Sequence, residues 1–191
     1  MTVPTMEGVT RALGARARAI SFDSLPNDVV FLARQCVLDW MGVTLAGADE
    51  PLARILREEA IESGGNPQAT IIAGGLRTSA QQAALINGAA SHALDFDDVQ
   101  MTMSGHPSVP IIPALLALAE HRGASGADFI AAFVAGFEME CRVGALVMPG
   151  HYSTGFHATG TLGTFGAAAA CARLMGLNEE QWLNALGIAG A

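Results

Sequence analysis

Four of the five histidines in this 191-residue chain fall in two short polar segments, SHALDFDDVQMTMSGHPS (91–108) and GHYSTGFHATGTLG (150–163), each set between apolar stretches. An imidazole titrates near neutrality and a carboxylate can orient it, so His92, His106, His151 and His157 with Asp95, Asp97 and Asp98 have the makings of a general acid/base site. His106 and His157 can serve as base, acid or donor, and Asp95 can orient one imidazole.

The same residues have plainer readings. Asp95, Asp97 and Asp98 end a helical stretch, where carboxylates often satisfy loop amides. His92 lies one helical turn before Asp95, which suits a supporting residue better than a reacting one. His106, followed by Pro107, could be packed into a loop. A metal is not indicated by spacing: there is no HxxxH or HExxH pair, and DFDD lacks the alternating ligands of an EF-hand loop. GTLGTFG is no phosphate loop, since no Lys-Ser/Thr follows it and no strand precedes it. Its glycines suit close helix packing instead.

The elements that must position these groups read as helices. Apolar spacing predicts an opening helix over 5–20, then a largely buried helix from Ser24 and Pro26 to Gly47. Asp49 and Pro51 open a third helix that stops at Gly64 and Gly65. ATIIAGG is the one strand-like stretch, short enough only for a hairpin or connector. Ser79 with Gln82 starts a helix running into the DFDD cluster. Pro110 and Pro113 open an apolar helix closed by Gly123. Ser125 with Asp128 caps a long one to about Met148, with a break expected at AGFE. An Ala/Gly helix follows from Thr159, and Asn178 caps the last. Trp40, Trp182 and the runs AAAACA and ALLALA belong to the core.

Composition agrees with an all-α, helical-bundle domain holding at most a short β-hairpin. Ala and Gly together fill 57 of the 191 positions, which favours closely packed helices over a β-sandwich. One domain of 1–191 is expected, without repeats or an internal linker. The net charge of -8 opposes docking on nucleic acid or anionic lipid. All ten basic residues are Arg, so the chain offers no lysine ammonium. Cys36, Cys141 and Cys171 are odd in number and far apart, as buried free thiols in a reducing cytoplasm would be. The N-terminus MTVPTMEGVTRALG lacks a signal-peptide pattern, and no uninterrupted run reaches the roughly 18 apolar residues of a membrane span. A cytoplasmic protein with no membrane partner is the expectation.

The strings NGAASHALDFDD, GHPS, PALLALAE and GHYSTGFHATGTLGTFGAAAA, ahead of a GL-x-EEQ helix start, resemble the MmgE/PrpD family in order along nearly the whole chain. The resemblance implies a homodimeric enzyme without metal or organic cofactor, with a large helical domain and a smaller α/β lid domain that this chain lacks. Its members, among them 2-methylcitrate dehydratase, cis-aconitate decarboxylase and iminodisuccinate epimerase, move a proton beside a carboxylate of a small di- or tricarboxylate. By motif, Asp95, His106 and His157 fall on the family's active-site positions. Ser104, Gly105 and Thr159 are the expected substrate-binding residues, and His92, Asp98 and His151 the supporting ones. Val99 stands where decarboxylase-like members resemble one another in having Thr, and the loop before His106 is one residue longer than theirs. MSGHPS and GHYSTGFHATGTLG look more like the epimerase or a general member.

The apolar ending ALGIAGA without a cap reads as a truncation, and the family's catalytic lysines fall downstream of it. The expectation is therefore a lyase or isomerase domain that is inactive alone. The alternative is a non-catalytic helical dimerisation or scaffold domain.

Overall fold

A computed structural model describes residues 6–72 and 74–191, and only the first residue of the expected opening helix, position 5, lies outside that range. Nine α-helices are found among the described residues. They are α1 (Met6–Arg18), α2 (Asn27–Ala46), α3 (Pro51–Ser63), α4 (Ala80–His92), α5 (Ser108–Arg122), α6 (Gly126–Val147), α7 (Gly150–Ser153), α8 (Ala158–Leu174) and α9 (Glu179–Ala189). The only sheet among them is a two-stranded antiparallel hairpin, β1 (Ala69–Thr70) with β2 (Arg77–Thr78), in the register Ala69 to Thr78. The all-α expectation holds, hairpin included.

The cap chemistry read from the sequence places most boundaries. Ser79, Ser125 and Asn178 each accept the backbone N–H three residues on, satisfying a donor that the first turn leaves free. Gly123 ends α5 in the left-handed region at φ 64, where a residue without Cβ is unstrained. Ser24, expected to cap α2, instead closes a single 3-10 turn with Ser21, and α2 starts after Pro26.

The core lies where α5, α6 and α8 meet, with Trp40 and Ala33 of α2 joining Ile111, Ile112, Leu115, Phe133 and Ala170. A second apolar cluster, around Trp182 and Leu186 of α9, joins α1 and α9 to α6 and α8. The expected break at AGFE is absent, and α6 runs straight through it. Gly136 is there for a neighbour: a Cβ would meet the Gly166 carbonyl oxygen at 2.6 Å. Two helices approach at bare backbone, so the glycine serves contact rather than interruption.

The burial expected of α2 is also corrected. Only Ala33, Trp40 and Thr44 of its twenty residues are buried, while Phe31, Leu32, Leu38 and Leu45 are exposed. One face packs on α4, α5 and α6, and the other is open and apolar. α2 is long and apolar enough on average to cross a membrane, although Asp28, Arg34 and Asp39 interrupt it.

Cys36, Cys141 and Cys171 are free and half-buried, and burial pushes their thiols up to about 11, 12 and 11. They stay protonated at neutral pH and are poor nucleophiles.

Glu140 of α6 is fully buried, and neither carboxyl oxygen has a hydrogen-bond partner. Desolvation, and secondarily the nearby Asp98, hold it protonated well above the ordinary carboxylate value of 4.5. The folded state keeps a proton that the unfolded chain releases near that value, so stability falls as pH rises from there toward the raised folded value. Glu140→Met, similar in length and apolar, is expected to raise the melting midpoint by about 2 °C or more at pH 8, and by less at pH 4. Equal gains at the two pH values would show that Glu140 does not titrate in that window.

Candidate active site

The two histidine-bearing segments meet at one end of the bundle. α4 ends at His92, and the chain leaves it through a left-handed turn at Asp95, φ 55, a conformation that Asp tolerates better than most residues. The loop then closes on itself through a bridge between Gln100 and Gly105, with Ser104 also left-handed at φ 51. Beyond Pro107, α5 begins, its first turn held by Asp98, which accepts from Ser108 N at 3.1 Å and Ser108 Oγ at 2.6 Å. That anion at a helix N-terminus is favourable, and burial raises Asp98 while both Ser108 bonds lower it.

Thr159 joins this loop to the second segment. It is buried, and its hydroxyl accepts the backbone N–H of His106 at 3.0 Å, while Gly105 is so close that a Cβ would meet Thr159 N at 3.0 Å. A first-turn residue of α8 therefore fixes where His106 stands. His157 is itself the N-cap of α8, its Nδ1 accepting Gly160 N–H at 3.3 Å.

These joints bring three imidazoles together. The His92 ring lies 5.0 Å from the His106 ring and 6.3 Å from the His157 ring, between centroids. Beneath them sits Asp97, its side chain 1% exposed, with His92 Nδ1 at 3.0 Å from both its oxygens and His106 Nδ1 at 3.1 Å from Oδ2. Asp95, 77% exposed, reaches His106 Nε2 at 3.3 Å, a contact that is an ion pair when the ring carries both protons.

Asp95, His106 and His157 were expected here and stand within this group, with His92 at its centre. Asp97 is the residue that sequence reasoning left out of the catalytic set. The orienting role expected of Asp95 falls chiefly to Asp97, because the buried carboxylate is screened less by water. Burial separates the two, and no spacing in DFDD announces it. Ser104 is exposed on its turn, with Oγ toward Met101 O at 3.4 Å. His151 lies outside the trio: its Nε2 pairs with Thr161 Oγ1 at 2.6 Å and its ring stacks on Phe156, bracing α7 against α8.

His92, Asp95, Asp97 and His106 also bring one donor atom each to within 4.8 Å of one another, a set of the kind that ligates divalent metals. Spacing along the chain does not show this set, because the four atoms converge only through the loop. In the structure His92 hydrogen-bonds to the Asp97 carboxylate, and His106 lies within ion-pair distance of both Asp95 and Asp97, the arrangement of a proton-transfer group. An apolar hollow of about 550 Å³ lies elsewhere, between α1, α6, α8 and α9. Phe96, Val99, Met101, Tyr152 and Phe156 are exposed near the histidines, so the site is open rather than enclosed.

Three relatives match nearly the whole chain. The cis-aconitate decarboxylase-like protein oryM of Aspergillus oryzae is 31% identical over 198 residues, covering 99% of this chain and 41% of that protein. Cis-aconitate decarboxylase of Homo sapiens is 28% identical over 194 residues, covering 96% and 39%. Cis-aconitate decarboxylase of Aspergillus terreus is 27% identical over 188 residues, covering 95% and 38%. The chain thus spans about two fifths of the length of these curated relatives. Residues 11–191 match the MmgE/PrpD N-terminal domain. A helical bundle whose two histidine segments meet over a buried aspartate, and which matches that domain from residue 11 to its last residue, belongs to the MmgE/PrpD family.

Proposed function

We propose that this chain supplies the proton-transfer groups of a lyase or isomerase that acts on a small di- or tricarboxylate at the carbon beside a carboxylate. The observation that carries the reading is Asp97, buried between His92 and His106 with His157 alongside. Such a cluster holds imidazoles in fixed orientations at an open site, which is what general acid/base chemistry requires. Three relatives named as cis-aconitate decarboxylases or like them favour a decarboxylation, although Val99 and the longer loop before His106 look more like other members.

The site as it stands is short of positive charge for such a substrate. Arg142 pairs with Glu138, and Arg173 donates to the Ile20 carbonyl, so those two side chains are engaged elsewhere. The complete protein is proposed to bring cations from the rest of its length. The open apolar face of α2 and the exposed Leu52, Ile55 and Ile61 of α3 suit a homodimer contact. A cytoplasmic, cofactor-independent enzyme with no nucleic-acid or membrane partner completes the reading.

The test is a steady-state assay of the complete protein against methylcitrate, cis-aconitate and iminodisuccinate. One of them is expected to turn over, His157→Ala to lower that turnover about 100-fold while the lost N-cap lowers the melting midpoint by only a few degrees, and residues 1–191 alone to turn over none. A folded complete protein inactive on all three would favour the scaffold reading instead.

A further inference from the structure

The three imidazoles differ in what their ring nitrogens face, and the difference assigns them different protons. A carboxylate only accepts, so the His92 Nδ1 that lies 3.0 Å from both Asp97 oxygens carries hydrogen. In the neutral ring Nε2 then bears the lone pair. Among the described residues no partner engages it, and the His92 side chain remains 32% exposed beside a carboxylate that is only 1% exposed. His106 is placed otherwise, with Asp97 at Nδ1 and Asp95 Oδ1 3.3 Å from Nε2, so both its nitrogens face oxygen. His157 is the reverse of His92: its Nδ1 accepts the Gly160 N–H, which leaves hydrogen on Nε2. His92 is thus the imidazole with an uncommitted basic nitrogen, and its ring neighbours both of the others.

We propose that His92, which lies outside the expected catalytic set, is a catalytic residue whose Nε2 exchanges a proton with the carbon beside the substrate carboxylate, while Asp97 holds its Nδ1–H. In the step, the C–H bond breaks, its proton passes to Nε2, and its electron pair enters the enediolate. The imidazolium formed stays paired with Asp97. Run in reverse, the same step protonates the carbanion left when carbon dioxide departs. His157, presenting Nε2–H, is placed to donate to an enediolate oxygen. The inference rests on the function proposed above.

Asparagine separates this role from a supporting one, because its side-chain N–H2 can replace Nδ1–H toward Asp97 but nothing replaces Nε2. In the complete enzyme, with a substrate that the wild type turns over, His92→Asn is expected to lower kcat about 100-fold or more. The melting midpoint should stay the same, and the limb of the kcat pH profile that reports this ring should disappear. If His92 merely steadies Asp97, His92→Asn retains turnover within about threefold, and that result overturns the proposal. Should the variant fail to fold, tautomers read by NMR on isotope-labelled histidine of the wild type decide: Nδ1–H at His92 and Nε2–H at His157 support it, and Nε2–H at His92 sinks it. A wild type inactive on every carboxylate offered counts against the proposed function, whereas an active wild type with an equally active His92→Asn counts against His92 alone.

Discussion

Asp97→Asn in the complete enzyme is expected to lower turnover about 1,000-fold while leaving the melting midpoint within a few degrees of wild type. The carboxylate accepts from His92 Nδ1 at 3.0 Å and stands 3.1 Å from His106 Nδ1, which hydrogen-bonds to the Asp97 backbone carbonyl at 3.3 Å. An amide of the same shape carries no charge and keeps only one accepting oxygen for His92, while its nitrogen turns a donor toward the rings. The His92 ring is then free to present the wrong nitrogen, and a developing imidazolium loses the negative charge beside it. Asp95→Asn should have a smaller effect, because that carboxylate is largely in water, where its field is screened. Measured kcat values for the two variants decide the matter. An Asp97→Asn enzyme as fast as Asp95→Asn would return the orienting role to Asp95.

The largest effect on folding is expected from Gly136→Val. A Cβ at this position meets Gly166 O at 2.6 Å and Ala170 Cβ at 2.9 Å, so α6 and α8 must separate, and most of the core is arranged on those two helices. Overpacking against backbone, which cannot change rotamer, is expected to cost about 3 kcal/mol or more, lowering the midpoint by about 6 °C at least. Gly42→Ala in α2 is the control. No atom lies within 4 Å of a Cβ there, so the substitution should stabilise the helix by about 0.5–1 kcal/mol. Thermal melts of both variants test the contrast, and a Gly136→Val protein melting within about 2 °C of wild type would show that the two helices are free to shift apart.

Both glycines sit in apolar helical sequence with nothing local to tell them apart, and AGFE looks like a helix break because glycine has low helix propensity. Packing decided otherwise, since the loss in propensity is about 1 kcal/mol while the close contact of two helices buries far more. The same limit explains α2. Its apolar spacing describes a core helix, yet Phe31, Leu32 and Leu38 face outward because no other described element covers them.

Local chemistry was legible wherever it acts over three or four residues: the caps at Ser79, Ser125 and Asn178, the left-handed Gly123, the hairpin length, and the concentration of ionisable groups in two segments. Residue order alone thus implies an all-α chain with its acid/base groups in two places. That the two places are one follows only from how the helices pack. Thr159 of α8 binds the His106 amide, 53 positions away, and burial rather than residue type selects Asp97 from three aspartates in four positions. Those outcomes depend on which backbones approach each other and which carboxylate loses water, and neither quantity is a function of neighbouring residues alone.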